Sequence, residues 1–396
     1  MKNKKMPEIV ATAPALLALV ERLMREPLLA VDLEADSLHH YQEKVCLIQI
    51  STPTESVIID PLALPELSPL APVLADPAIR KIFHGSDYDI RSLHRDFGIE
   101  VHNLFDTMIA CQFLGEKEVG LAAVLLKRFG AELDKKYQKA DWSKRPLSSD
   151  MIEYAVRDTS LLIELYGQLE EELRAKGRLA WVEEEAQLLT GVRAGSREAD
   201  TLLLRFKGAA RMEPRTLAVL EELLRFRDCL ASARDLPPFK ILGSDTLRLL
   251  AEKKPHRQSD LDGISGLSPK LCNRYGGGIL EATARGMARP ADRLPSYPRP
   301  QRFVKDRRKE EMMRNLKQWR EAKAAELGIE AGILANNSML EAVADAACRN
   351  EEGAPAVPAM KRWQKESFGE ELLRFVKNWG TRSEFYETFR IDEETA

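Results

Sequence analysis

Strand-forming segments occur only in the first half of this 396-residue chain, and that one-sided distribution constrains the fold more than any other feature. LLAVDLE at 28–34, VCLIQIS at 45–51, SVIID at 56–60, IRKIFH at 79–84 and VHNLF at 101–105 read as strands separated by polar or Pro-containing turns. Helical patterns lie around them: one opening at Thr12 with Pro14 in its first turn, others at 66–75 and 87–97, and a long one from Ser149 to Lys176. Short connections between the first three strands predict antiparallel pairing. The whole predicts a mixed sheet covered by helices, an α/β domain over residues 1–200. Past residue 200 only helical patterns remain. They predict an all-α domain at 201–288, a Pro/Arg-rich linker at 289–303 and a second helical domain at 304–396, interrupted by GAPAVP at 353–358.

A chain this long exceeds one ordinary core, in keeping with several domains. The five cysteines (Cys46, Cys111, Cys229, Cys272, Cys348) form no Cys-x-x-Cys pair, which speaks against a zinc site or a disulfide framework and suits a reducing compartment. The apolar stretch Ala15–Val20 is short and runs into Glu21 and Arg22, so the N-terminus does not read as an export signal. No segment is apolar for long enough to cross a membrane. A cytoplasmic protein is the expectation.

Four acids stand inside otherwise apolar elements: Asp32 and Glu34 in LLAVDLEAD, Asp89 in HGSDYDI and Asp158 in IEYAVRDTS. Isolated buried carboxylates are costly. An all-oxygen cluster of them calls for a compensating cation and suits Mg²⁺ or Mn²⁺. On a strand, Asp32 and Glu34 at i and i+2 project from one face, about 6–7 Å apart. On a helix, Tyr154 and Asp158 at i and i+4 share a face, with Cβ atoms about 5–6 Å apart. Each pair alone is weak: a solvated strand end or an ordinary amphipathic helix gives the same pattern. Asp87 and Asp89 compete as helix cap and inward ligand.

Taken in order, these motifs resemble the DEDD superfamily of 3′→5′ exonucleases, in particular bacterial ribonuclease D. VDLE supplies the first motif at Asp32 and Glu34, and His84 followed by Asp89 the second, which favours Asp89 over Asp87. Tyr154 and Asp158 supply the third; the alternative subclass carries His where this chain has Glu153. LFDT at 104–107 and DWSKRPLSSDMIEYAVRD at 141–158 are similar to ribonuclease D almost word for word. The resemblance implies an α/β ribonuclease H-like exonuclease domain followed by two all-α HRDC-type helical domains. It also implies hydrolysis of RNA from a free 3′ end to nucleoside 5′-monophosphates with two divalent metal ions, Mg²⁺ or Mn²⁺. Asp32, Glu34, Asp89 and Asp158 would hold the metal and Tyr154 would orient the water. The implied partners are tRNA precursors and other small structured RNAs, with no membrane and no nucleotide cofactor.

His84, Trp142, Lys144 and Arg145 are the candidate substrate-binding residues: cations for phosphate, Trp142 to stack a base or simply to pin its loop. Residues 285–320 carry a net charge of +8 in a chain of net charge −3, a reasonable polyanion footprint. A DNA exonuclease of the same superfamily and a non-catalytic RNA-binding scaffold are the competing readings. The intact acids disfavour the scaffold, and no Gly-x-x-x-x-Gly-Lys-Ser/Thr loop is present for a helicase.

Overall fold

A computed structural model describes residues 7–195, 202–297, 306–348 and 360–379. Parts of the expected linker (298–303), the GAPAVP stretch and the last seventeen residues of the chain lie outside those ranges. Six strands form one mixed sheet: β1 Glu8–Val10, β2 Leu28–Ala35, β3 Val45–Ser51, β4 Ser56–Ile59, β5 Arg80–Phe83 and β6 Leu104–Asp106, in the order β1-β4-β3-β2-β5-β6. The pairs β2–β3 and β3–β4 are antiparallel, as the short connections required, while β1–β4, β2–β5 and β5–β6 are parallel. β1 was not read from the sequence. Three residues are too few to show a period, and pairing to β4 specifies them.

The helices of this half are α1 Ala13–Leu23, α2 Ala71–Ala75, α3 Asp87–Phe97, α4 Thr107–Leu114, α5 Leu121–Phe129, α6 Ser149–Ser160, α7 Leu162–Ala175 and α8 Leu179–Leu189. The long helix expected from 149 to 176 is therefore two, broken at Leu161. Alternation in β2 and β3 sorts side chains between two faces. Leu29, Val31, Leu33, Ile48 and Ile50 join the core containing α1–α3 residues. The opposite face carries Asp32, Glu34, Leu47 and Gln49, and α6 covers it through Ile152 and Ala155.

The first helical unit comprises α9 Leu202–Arg205, α10 Pro214–Ala233, α11 Pro238–Ile241, α12 Ser244–Lys253 and α13 Pro269–Ala288 around its own core. The second comprises α14 Arg307–Leu327, α15 Ala331–Leu334, α16 Asn337–Cys348 and α17 Arg362–Gln364, continued by a π turn at Lys365–Gly369. Their attachments to the sheet domain differ in kind. Met312, Leu316, Trp363 and Phe368 of the second unit belong to one continuous core with Phe113, Leu173 and Val182 of the first half. Trp181 stacks on Trp363 with ring centroids 4.8 Å apart. Arg178 donates to the carbonyls of Phe113 (2.7 Å) and Leu327 (2.5 Å). The first unit instead meets the loop after β2 through Tyr41, which packs against the unit's core, and through polar bridges. His40 Nδ1 lies 2.7 Å from Asp235 Oδ2, and the Tyr41 hydroxyl donates to Asp228 at 2.8 Å.

Candidate active site

The turn between β5 and α3 places the second motif. Gly85 adopts φ +79, a left-handed conformation that glycine takes without strain, and turns the chain from β5 into α3. Buried Asp106 holds this turn: its carboxylate accepts from the Gly85 and Ser86 amides (3.0 and 2.7 Å) and the Ser86 hydroxyl (2.8 Å). The same carboxylate caps α4 through the Met108 and Ile109 amides. Ser86 occupies the helix-cap position of α3 without capping it, its hydroxyl being committed to Asp106. Asp87 is exposed and paired with Arg91, whereas Asp89, two residues on in the same first turn, is buried. The rivalry between those two acids resolves to Asp89 as the inward one.

Asp32 and Glu34 on β2 and Asp158 on α6 each present a carboxylate oxygen within 4.8 Å of the others. Asp89 stands outside that tight group but is electrostatically coupled to it. Burial, then the charge of Asp32, drives the Asp89 carboxyl well above its ordinary range. Burial raises Asp32 to about 6 and Asp158 to about 8. Glu34 rises to about 10, through burial and then the charges of Asp32, Asp158 and Asp89. Among the described residues no Lys, Arg or His forms an ion pair with any of the four. Mutually repelling carboxylates, one buried and three half-buried, with no ion-pair partner among the described residues and all offering oxygen, suit a hard divalent cation. The arrangement fits the group it would hold.

Tyr154 lines a cavity of about 270 Å³ together with Asp32, Asp158 and His84. Burial, then the Asp158 charge, pushes its phenol upward, so it stays protonated at neutral pH. His84 Nδ1 lies 2.8 Å from Thr107 Oγ1, and that hydroxyl donates to the Phe83 carbonyl, so the imidazole N–H points at Thr107. Burial lowers the His84 pKa and keeps the ring neutral.

Two of the expected substrate contacts are corrected. Trp142 is 1 % exposed and packs with Cys46, Leu47, Ile58 and Ile152, leaving no face for a base. Arg145 is spent within the fold: it grips Asp60 with two bonds (2.6 and 2.7 Å) and donates to the carbonyls of Cys46 and Trp142. Lys144 is exposed, 3.6 Å from Asp141. The basic tract is partly neutralised as well: Arg285 and Arg289 pair with Glu221 and Glu222, and Lys309 pairs with Asp345. Arg299, Arg302 and Lys305 lie outside the described residues. Sequence reading missed Lys135, Gln138 and Lys136, from the loop beside the cavity mouth; the first two line the cavity of Tyr154 and His84, the third an adjoining hollow. A short run of charges between helices carries no signal of which cleft it borders. Asp106 had a signal, an acid just before a helical run, which the LFDT words contained.

The 3'-5' exonuclease family model matches residues 7–174, and the HRDC domain model matches 216–283 and again 309–376. Ribonuclease D of Gluconacetobacter diazotrophicus is 31% identical over 381 residues, covering 93% of this chain and 92% of that protein. The chain belongs to the ribonuclease D family. Ribonuclease D of Nitrobacter hamburgensis is 29% identical over 370 residues, 92% of this chain and 94% of its own. The crystal structure of Escherichia coli RNase D, described as an exoribonuclease involved in structured RNA processing, superposes with a TM-score of 0.72 at 25% identity. That match covers 94% of this chain and 99% of the other. A protein from Bifidobacterium adolescentis superposes with a TM-score of 0.77 at 25% identity, over 95% and 98% of the two chains. The expected architecture, an exonuclease domain on a mixed sheet followed by two helical HRDC domains, is thus the observed one.

Proposed function

We propose that this member of the ribonuclease D family removes nucleotides one at a time from the free 3′ end of tRNA precursors and other small structured RNAs, releasing nucleoside 5′-monophosphates. The observation that carries the reading is the cluster of Asp32, Glu34 and Asp158, the first and last of which line one cavity with Tyr154. With Asp89 behind them, these acids would hold two divalent cations, Mg²⁺ or Mn²⁺. When bound, such cations supply Lewis acidity, making a water more acidic and stabilising charge on the departing 3′ oxygen.

The chain's own residues do the rest. Tyr154, kept as a phenol, orients the attacking water by a hydrogen bond and does not take its proton. Asp106 fixes the turn that carries both His84 and Asp89, so the half-buried imidazole and the buried acid keep a constant relation. Neutral His84 bounds the cavity without adding a charge to it. Lys135 at the mouth offers a cation to the incoming phosphate backbone.

The test is a 5′-labelled tRNA with a short 3′ extension, incubated beside a matched DNA in Mg²⁺ with wild type and Asp158→Asn. A ladder of shortened RNA from wild type alone supports the reading. Equal loss of the DNA would sink the RNA assignment, and wild-type turnover by Asp158→Asn would sink the metal assignment.

A further inference from the structure

Gln49 lies on β3 directly across from Asp32 in the antiparallel register, so the two side chains leave the same face of the sheet as neighbours. Its side chain is fully buried, and neither Oε1 nor Nε2 has a hydrogen-bond partner. The surroundings on that face give it none. Leu47 and Ile58 flank it, Ile152 and Ala155 of α6 roof the same cluster, and Ser51 is committed to Thr159 (2.7 Å) and Ser56 (2.8 Å). A buried primary amide with donor and acceptor both unmet is strongly unfavourable, and an apolar residue would fill this position at lower cost. Core packing alone therefore does not account for it.

The polar group paired with Gln49 across the strands is the Asp32 carboxylate. Among the described residues, no side chain donates a hydrogen bond to Asp32, Glu34 or Asp158. Carboxylates that ligate metals are themselves held by outer hydrogen bonds, which fix which oxygen faces the ion. We propose that Gln49 is a positioning residue for the cation site, its Nε2 donating to the Asp32 carboxylate and turning the other carboxylate oxygen toward the bound ions. This rests on the reading that Asp32, Glu34, Asp89 and Asp158 hold divalent cations. Gln49 touches neither ion nor substrate. It acts through Asp32, and its otherwise unpartnered amide is the group available to hold that carboxylate.

The experiment measures Mn²⁺ affinity by calorimetry, and thermal midpoints in chelator and in Mn²⁺, for wild type, Gln49→Met and Asp158→Asn. Gln49→Met should retain or raise the midpoint in chelator, since the unmet amide is gone. It should bind Mn²⁺ about 10–100-fold more weakly, with a smaller Mn²⁺-induced rise in midpoint. Unchanged Mn²⁺ affinity in Gln49→Met overturns the proposal while leaving the metal site intact. No Mn²⁺ uptake by wild type overturns the parent reading and this one together. The Gln49 side-chain amide resonance of ¹⁵N-labelled wild type, which needs no folded variant, should shift downfield on saturation with Mg²⁺. A resonance that does not move also overturns the proposal.

Discussion

Gly115 and Gly328 touch backbone to backbone: a Cβ on Gly115 would lie 1.9 Å from the Gly328 carbonyl oxygen. Each terminates a helix in the left-handed conformation, Gly115 after α4 of the nuclease domain and Gly328 after α14 of the second helical unit. The close approach lets the two units share one core. Gly115→Ala should therefore cost more than the strain of its φ of +85 alone, about 1–3 kcal/mol. Gly130→Ala, at φ +63 with open space around it, should cost only the strain. Equal denaturation midpoints for the two variants would refute the packing argument.

The acid cluster sets a pH dependence for the cation-free protein. Unfolded Asp titrates near 3.9, while the folded values are about 6 for Asp32 and about 8 for Asp158. Across that window the folded chain holds more protons than the unfolded one, so this contribution to stability falls as pH rises and is gone above the folded values. Asp158→Asn should flatten the decline in chelator, and saturating Mn²⁺ should offset it in wild type. Melting curves from pH 5 to 9 decide; a wild-type slope no steeper than that of Asp158→Asn contradicts the assignment.

Arg145 is predicted to act on stability and not on RNA affinity. Removing it leaves Asp60 buried without its partner and three carbonyls, of Cys46, Trp142 and Lys144, without this donor, a loss of about 3–5 kcal/mol. Arg145→Lys should recover little, because a single ammonium does not reproduce the two-pronged grip on Asp60. The salt dependence of RNA binding by folded Arg145→Lys should match wild type, and a reduced slope would restore Arg145 as a phosphate contact.

Five of the six strands, and the pairings Asp32–Glu34 and Tyr154–Asp158, were legible from spacing, two residues on β2 and four on α6. Asp89 was singled out over Asp87 only by the order of motifs that resembles the exonuclease family. Trp142 and Arg145 misled because a Trp and an Arg in a polar loop look the same whether the loop folds inward or stays open. Only the tertiary placement of Asp60 and Cys46 distinguishes the two. Gln49 was hidden for the opposite reason. In VCLIQIS it is one polar letter in a buried strand, and its meaning comes from the residue across the ladder.

The two helical units should differ sharply in what one substitution does to their docking. Trp363 stacks on Trp181, meets Phe113 edge-on at 5.3 Å and donates to Glu185 at 2.9 Å. Trp363→Ala should cost about 3–5 kcal/mol. Asp235→Ala, at the exposed bridge to His40, should cost at most about 1 kcal/mol. Denaturant titrations of both variants check the contrast, and comparable losses would erase it.

Because the second helical unit returns to fuse with the nuclease core, the first unit is tethered at both ends to a single body. Breaking its polar bridges does not release it. The free end-to-end volume stays small and the effective concentration of Asp235 near His40 stays high, so weak contacts reform readily. The seating of the first unit therefore draws on the weld made by Trp363 more than a hundred residues away from His40, as well as on its own contacts.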